Sequence, residues 1–346
     1  SVSPGSGISG EFGTWTVTYT VGAEGIATGG GIRVQLPDDW HSGPRNSANR
    51  LQHLKAEADN YVQAHCTNAD VKLSTLVEDL PPAQLVKNAK HSLDGRLERY
   101  VFVVRVMVEE GALAEGDSID LIYGDTRGGS QGYRAGAVST GPLPLLLALD
   151  PEGDFVYSLH AECPKLVLNP GHARELLIHA PSNSVYDTPT TILASLLDKE
   201  FNPAYGPATI LLSYPDNLEG PESIQIPADA THLEFEVTPK QPGIMRIQGH
   251  WGERDQTITA NPMEVFMMKM LGYIYWGDLH SHTHYSWDGV GYDQFAYAEY
   301  TSGLDFYAMS DHSIAQGENY TRGLHKGTWK AYIAETEAAN KPGQFA

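Results

Sequence analysis

The feature that most constrains this chain is an alternation of apolar and polar side chains with a period of two, recurring along most of its length. It begins at Thr14: Trp15, Val17, Tyr19 and Val21 fall on one side, and Thr14, Thr16, Thr18 and Thr20 on the other. Successive side chains of a strand point to opposite faces, so this pattern predicts a strand with one dry face and one wet face. Similar runs occur at 31–36, 61–66, 71–77, 99–108 and 118–123, most of them bounded by Gly, Pro, Asp or Asn. Many short strands between turn residues predict a β-sandwich. Leu51, Leu54 and Ala58 sit at roughly helical spacing, so 41–59 is expected to be a short helix or a long loop.

A second series follows Pro164, with strands expected at 165–168, 175–180, 190–197, 208–213, 232–237 and 244–249. Its rhythm of strand, polar turn and strand predicts an immunoglobulin-like module. The expected domains are 1–160, an N-terminal β-sandwich; 161–268, an immunoglobulin-like β domain; and 269–346, where the texture changes. There Tyr273–His280 is a short apolar run. Phe295, Tyr297, Ala298 and Thr301 have helical spacing, closed by Gly303, and 305–310 reads as a strand. Trp329, Tyr332, Ile333 and Thr336 then mark a helix over 328–339. This β–α–β–α order predicts a parallel sheet or barrel.

Composition narrows the function. Hydrophobic residues form 41% of the 346, enough for sizeable cores, and the net charge is −20. A chain this acidic repels nucleic acid and anionic membranes, so neither is an expected partner. The nearest basic pair, Arg96 and Arg99, reads as a solvated strand edge. Cys66 and Cys163 lack CxxC spacing and are expected to be buried free thiols. No apolar run reaches membrane-spanning length. No leader pattern is visible, but the chain starts SVSPGSG without Met, which leaves the compartment open.

The chemistry concentrates in WGDLHSHTHYSWDG, residues 276–289. On a strand, His280 and His282 point the same way, and two imidazoles can converge on one metal ion. With 14 histidines in the chain, chance supplies roughly half an HxH, so that pair alone is weak. His284 extends the alternation, and Asp288 follows where a loop begins. Met309–Ser313, MSDHS, ends the next expected strand. Ligands gather at the C-terminal ends of parallel strands, so His280, His282 and Asp311–His312 are expected to meet.

The pattern DLHSHTHYSWDG, a helix, then GLDFYAMSDHS resembles the first two motifs of the polymerase-and-histidinol-phosphatase (PHP) superfamily of metal-dependent phosphoesterases. It is more similar still to a bacterial family, catalogued as a domain of unknown function, in which a β-sandwich region precedes a YWGDLHxHTxxSxD motif. The specific resemblance covers about 271–346; Ile122–Asp125, IYGD, is a weaker point of likeness. The resemblance implies metal ligands at His280, His282, Asp288 and His312. It implies Asp311 as a ligand or supporting carboxylate and catalytic candidate, and Asp278 as an orienting partner of an imidazole. His284 would face substrate or cap the loop, and is the other catalytic candidate.

The fold so implied is two all-β sandwich domains followed by the first two βα units of an α/β, distorted TIM-like, PHP-type barrel. The cofactors would be divalent Zn, Mn or Fe, two or three in an intact site, activating a water for attack on a small-molecule or polymeric ester. This sequence departs from the pattern because further ligands are expected on later strands. Glu335 and Glu337 fall on the expected helix, and no other replacement follows. The chain is therefore expected to be C-terminally truncated, with an incomplete site. Two other readings stand beside it. An amidohydrolase-type barrel also carries HxH after its first strand but does not need Asp311–His312. A non-catalytic β-sandwich binding module needs neither.

Overall fold

The computed structural model describes residues 1–37, 40, 50–79, 100–286, 289, 291, 293–312, 324 and 328–346. Arg96, Arg99 and Asp288 lie outside the described residues. The chain divides into two units. One comprises Ser1–Asn169, His282–Tyr292 and Asp311–Tyr332; the other comprises Pro170–Ser281, Asp293–Ser310 and Ile333–Ala346.

In the first unit, a five-stranded sheet runs in the order Ser158–Leu159, Leu146–Asp150, Gly31–Pro37, Tyr100–Glu110, Lys72–Asp79. A four-stranded sheet has the order Val2–Ser3, Trp15–Thr20, Ser118–Tyr123, Val62–Cys66. Alternation sets the burial: Trp15 and Val17 are buried, whereas Thr16 and Thr18 are partly exposed. Val17, Ile32, Val34, Val104, Val106, Ile119 and Leu121 join the two sheets in one core. Each contributes about 1.5–3 kcal/mol by leaving water. Trp15 meets Trp40 edge-on at 4.8 Å between ring centroids, and Trp40 stacks on Tyr133 at 6.2 Å.

Of 41–59, expected to be a short helix or a long loop, 50–59 are described and form a loop, for which local chemistry gives the reason. Gln52 Oε1 accepts the backbone N–H groups of Leu54 and Lys55, and its Nε2 donates to Lys55 O. The side chain thus captures backbone groups that a helix would use. Leu51 is buried, while Leu54 is 80% exposed, so no helical face forms.

The second unit holds another sandwich. One sheet has the order Glu175–His179, Thr190–Leu197, His232–Pro239, Leu218–Glu219; another has Ser223–Ile226, Ala208–Ser213, Gln248–Trp251, Gln256–Thr259. Leu176, Ile192, Leu196, Ile210, Ile226, Val237 and Trp251 pack between them. The expected strand 244–249 is two strands. Gly243–Met245 pairs with Met263–Phe266, and Gln248–Trp251 pairs with Ala208–Ser213, so the chain changes sheets between them.

The strand Gly277–Ser281 pairs in parallel with Phe306–Met309. Between them lie the short helix Gln294–Ala296 and a π turn, Tyr297–Thr301. Gly303, at φ +62°, reverses the chain after that turn. This sheet has two strands among the described residues. The expectation of an α/β, TIM-like barrel portion is therefore corrected: the described residues are 45% strand and 8% helix. The helical spacing in 292–302 and 328–339 predicts helices alternating with the strands of a parallel sheet or barrel. The helix Trp329–Ala339 instead buries none of its residues, so it covers no sheet.

Candidate functional site: a histidine pair

The predicted site residues are distributed over both units. In the second, Asp278 and His280 lie on the exposed strand Gly277–Ser281. Asp278 Oδ1 accepts the His280 backbone N–H at 2.9 Å. That strand ends at Ser281, whose carbonyl accepts Ser310 N–H at 2.8 Å and whose hydroxyl meets Tyr307 Oη at 2.7 Å. The expected strand alternation through His280, His282 and His284 is thereby corrected, because only His280 belongs to the strand.

In the first unit, 282–286 is a turn built around Thr283. Ser286 N–H donates to Thr283 O at 3.0 Å, and Tyr285 N–H donates to Thr283 Oγ1 at 3.2 Å. Asp311 is buried and accepts twice from Thr283, through Oδ1 from the backbone N–H at 2.7 Å and through Oδ2 from the hydroxyl at 3.0 Å. Ser286 Oγ accepts the His312 N–H at 2.7 Å. These bonds fix two distant pieces of chain side by side. The result is a close pair of imidazoles, His282 and His312, with centroids 4.6 Å apart and planes at 60°. His284 is 5% exposed, with its ring 4.0 Å from that of Tyr285, and its backbone N–H bonds Gly291 O.

Two imidazoles sharing one ion at a metal–nitrogen distance of about 2.0–2.1 Å hold their ring centroids roughly 5 Å apart. The His282–His312 spacing fits that donor set, and neutral imidazole suits zinc and related ions. Among the described residues, no group of three or more His, Cys, Asp or Glu is arranged to hold an ion. Thr283 and Ser286, which position both histidines, were passed over in the sequence. Their signal was the Ser/Thr turn chemistry between the histidines and Asp288.

Elsewhere the chain turns at Thr126–Gly129, where Gly129 N–H bonds Thr126 O at 3.0 Å. His250 and Trp251 end a strand that enters the turn Gly252–Arg254. Cys66 and Cys163 are free, each partly buried. No helix among the described residues is long and apolar enough to cross a membrane.

No family model matches the chain, and no curated protein matches it. Among solved structures it is similar to FdeC, an adhesin of Escherichia coli, at 12% identity and TM-score 0.32, over 78% of this chain and 63% of that one. The D00–D0 domain of intimin matches at 8% identity and TM-score 0.27, over 63% of this chain and 98% of that one. Domains 4 and 5 of the S-layer protein SbsC match at 11% identity and TM-score 0.23, over 36% of this chain and 65% of that one. The chain thus spans less than two thirds of the SbsC and FdeC structures.

The PHP resemblance is corrected by the fold: among the described residues only 8% are helix, too little for the α/β barrel that the superfamily requires. The phosphoesterase and hydrolase assignment falls with it. The resemblance rests on two short segments, 278–289 and 303–313, and the described residues around them do not build the barrel. What defines the class is β-sandwich construction.

Proposed function

We propose that this chain is a non-catalytic β-sandwich binding module that takes up a divalent transition-metal ion at His282 and His312. The observation that carries the reading is the convergence of these two imidazoles, 4.6 Å apart, on a backbone tied by Asp311, Thr283 and Ser286. Support for a binding role comes from where the buried surface lies. Both extensive cores are sandwich cores, whereas the parallel strands Gly277–Ser281 and Phe306–Met309 are largely exposed or half-buried. Bound at the pair, the ion would cross-link the 282–286 turn to the 311–312 segment and stabilise both by linkage.

Calorimetric titration with zinc tests this on the full chain and on the variants His282→Ala and His312→Ala. The expected result is one site, weakened at least about tenfold in either variant. Equal affinity in all three proteins would contradict the assignment. Titrating His280→Ala and Asp288→Ala shows whether either residue adds a further ligand. The non-catalytic half is tested separately: the zinc- or manganese-loaded protein is expected to leave an aryl phosphate ester intact. Turnover that disappears in His282→Ala would overturn it.

A further inference from the structure

We propose that a cleft in the second unit binds a neutral oligosaccharide. The cleft has a volume of about 730 Å³ and is lined by Trp276, Tyr300, Glu234, Glu299, Asn261 and Asp305 among others. That volume lies within the roughly 300–1,000 Å³ typical of small-ligand sites. The cleft shares no residue with the His282–His312 pair, so each proposal stands or falls alone.

Trp276 carries the inference. It is 62% exposed, yet it is held at both ends. Its backbone N–H donates to Asp305 Oδ2 at 2.8 Å, and its indole N–H donates to Ser182 Oγ at 2.6 Å. A large aromatic surface left in water forgoes the free energy of burial, about 1.5–3 kcal/mol for a side chain of this kind. Fixing it there supplies a rigid flat face without the ordering cost a mobile side chain would incur on binding. Tyr300 is immobilised in a similar way. Its ring stacks on His232 at 4.5 Å and 12°, its hydroxyl bonds Lys341, and its carbonyl accepts from Ser195 Oγ.

Charge selects the ligand class. Three carboxylates line the cleft, which rejects anions. Glu299 is neutralised by Lys341 at 2.6 Å, whereas Asp305 accepts the Trp276 backbone N–H through Oδ2 alone, so Glu234 and Asp305 both keep acceptor capacity in the cleft. The cleft thus combines carboxylate acceptors with a rigid indole. This combination suits a neutral polyol, whose hydroxyls donate to the carboxylates and whose C–H face lies on the aromatic ring.

The test uses the full chain and a panel of neutral trisaccharides: cellotriose, maltotriose, xylotriose, mannotriose and chitotriose. Binding is followed by the Trp276 indole resonance in heteronuclear NMR. At least one member is expected to shift that resonance at millimolar concentration or below. Affinity should fall at least about tenfold in Trp276→Ala. It should fall several-fold in Glu234→Gln, an exposed change that leaves thermal unfolding unaltered. The proposal is overturned if no member of the panel shifts the indole resonance at millimolar concentration. It is equally overturned if Glu234→Gln, folded as the wild type is, binds the sugar with undiminished affinity.

Discussion

Asp311 holds Thr283 by two bonds at once, Oδ1 to the backbone N–H at 2.7 Å and Oδ2 to the hydroxyl at 3.0 Å, and both residues are buried. The carboxylate therefore acts as a clasp between the two segments that carry His282 and His312. Thr283→Val keeps the shape and removes the hydroxyl donor, so Oδ2 loses that bond in a buried place. The expected loss is about 1–3 kcal/mol, read as faster amide exchange at Thr283 and His312. Thr283→Ser should restore protection. Unchanged exchange in the valine variant would show that the clasp is not what holds the segments.

Gly124 gives a second test, in the first unit's core. Its φ is +73°, and an added Cβ would lie 2.1 Å from Tyr133 N and 2.4 Å from Gly13 O. Both close atoms are backbone and have no flexible way out. Gly124→Ala is expected to lower stability by about 1–3 kcal/mol from backbone strain, with the clash adding to this. Chemical denaturation should show a lower midpoint at an unchanged slope. An unaltered midpoint would contradict the close packing at this turn.

Acid should weaken the second unit. Burial pushes the His179 pKa below its ordinary value, and the hydrogen bond its Nε2–H donates to Thr301 O offsets this only in part. Burial also lowers His232. The unfolded imidazole titrates near about 6.5, so between the folded and unfolded values the unfolded chain holds more protons. Stability therefore rises with pH across that window and levels off above it. Thermal melts from about pH 7 down to about pH 5 should show a falling midpoint for this unit, flattened in His179→Gln. A midpoint independent of pH over that range would contradict the burial of these rings.

The sandwich strands were legible because alternation reports burial directly. The runs at 118–123, 190–197 and 208–213 coincide with strands, and Trp15 and Val17 face the core as their spacing requires. The sequence was less informative wherever a side chain competes with the backbone. Gln52 unmakes a helical spacing, and the 244–249 run hides a change of sheet between Met245 and Gln248. At the site, His282 and His312 stood out by residue type. Asp311 stood out beside His312, but Thr283 and Ser286 did not, because they meet the 311–312 segment only after folding. The barrel expectation failed because helical periodicity in Tyr292–Ser302 and Thr328–Ala339 says nothing about what a helix covers.

X-ray absorption at the zinc edge of the loaded full chain tests the central claim most directly, because back-scattering from imidazole rings counts histidine ligands. At least two imidazoles in the zinc shell are expected, at a metal–nitrogen distance of about 2.0–2.1 Å, with one fewer in His312→Ala. A shell of oxygen atoms alone, or an imidazole count that His312→Ala leaves unchanged, would contradict a metal site at His282 and His312.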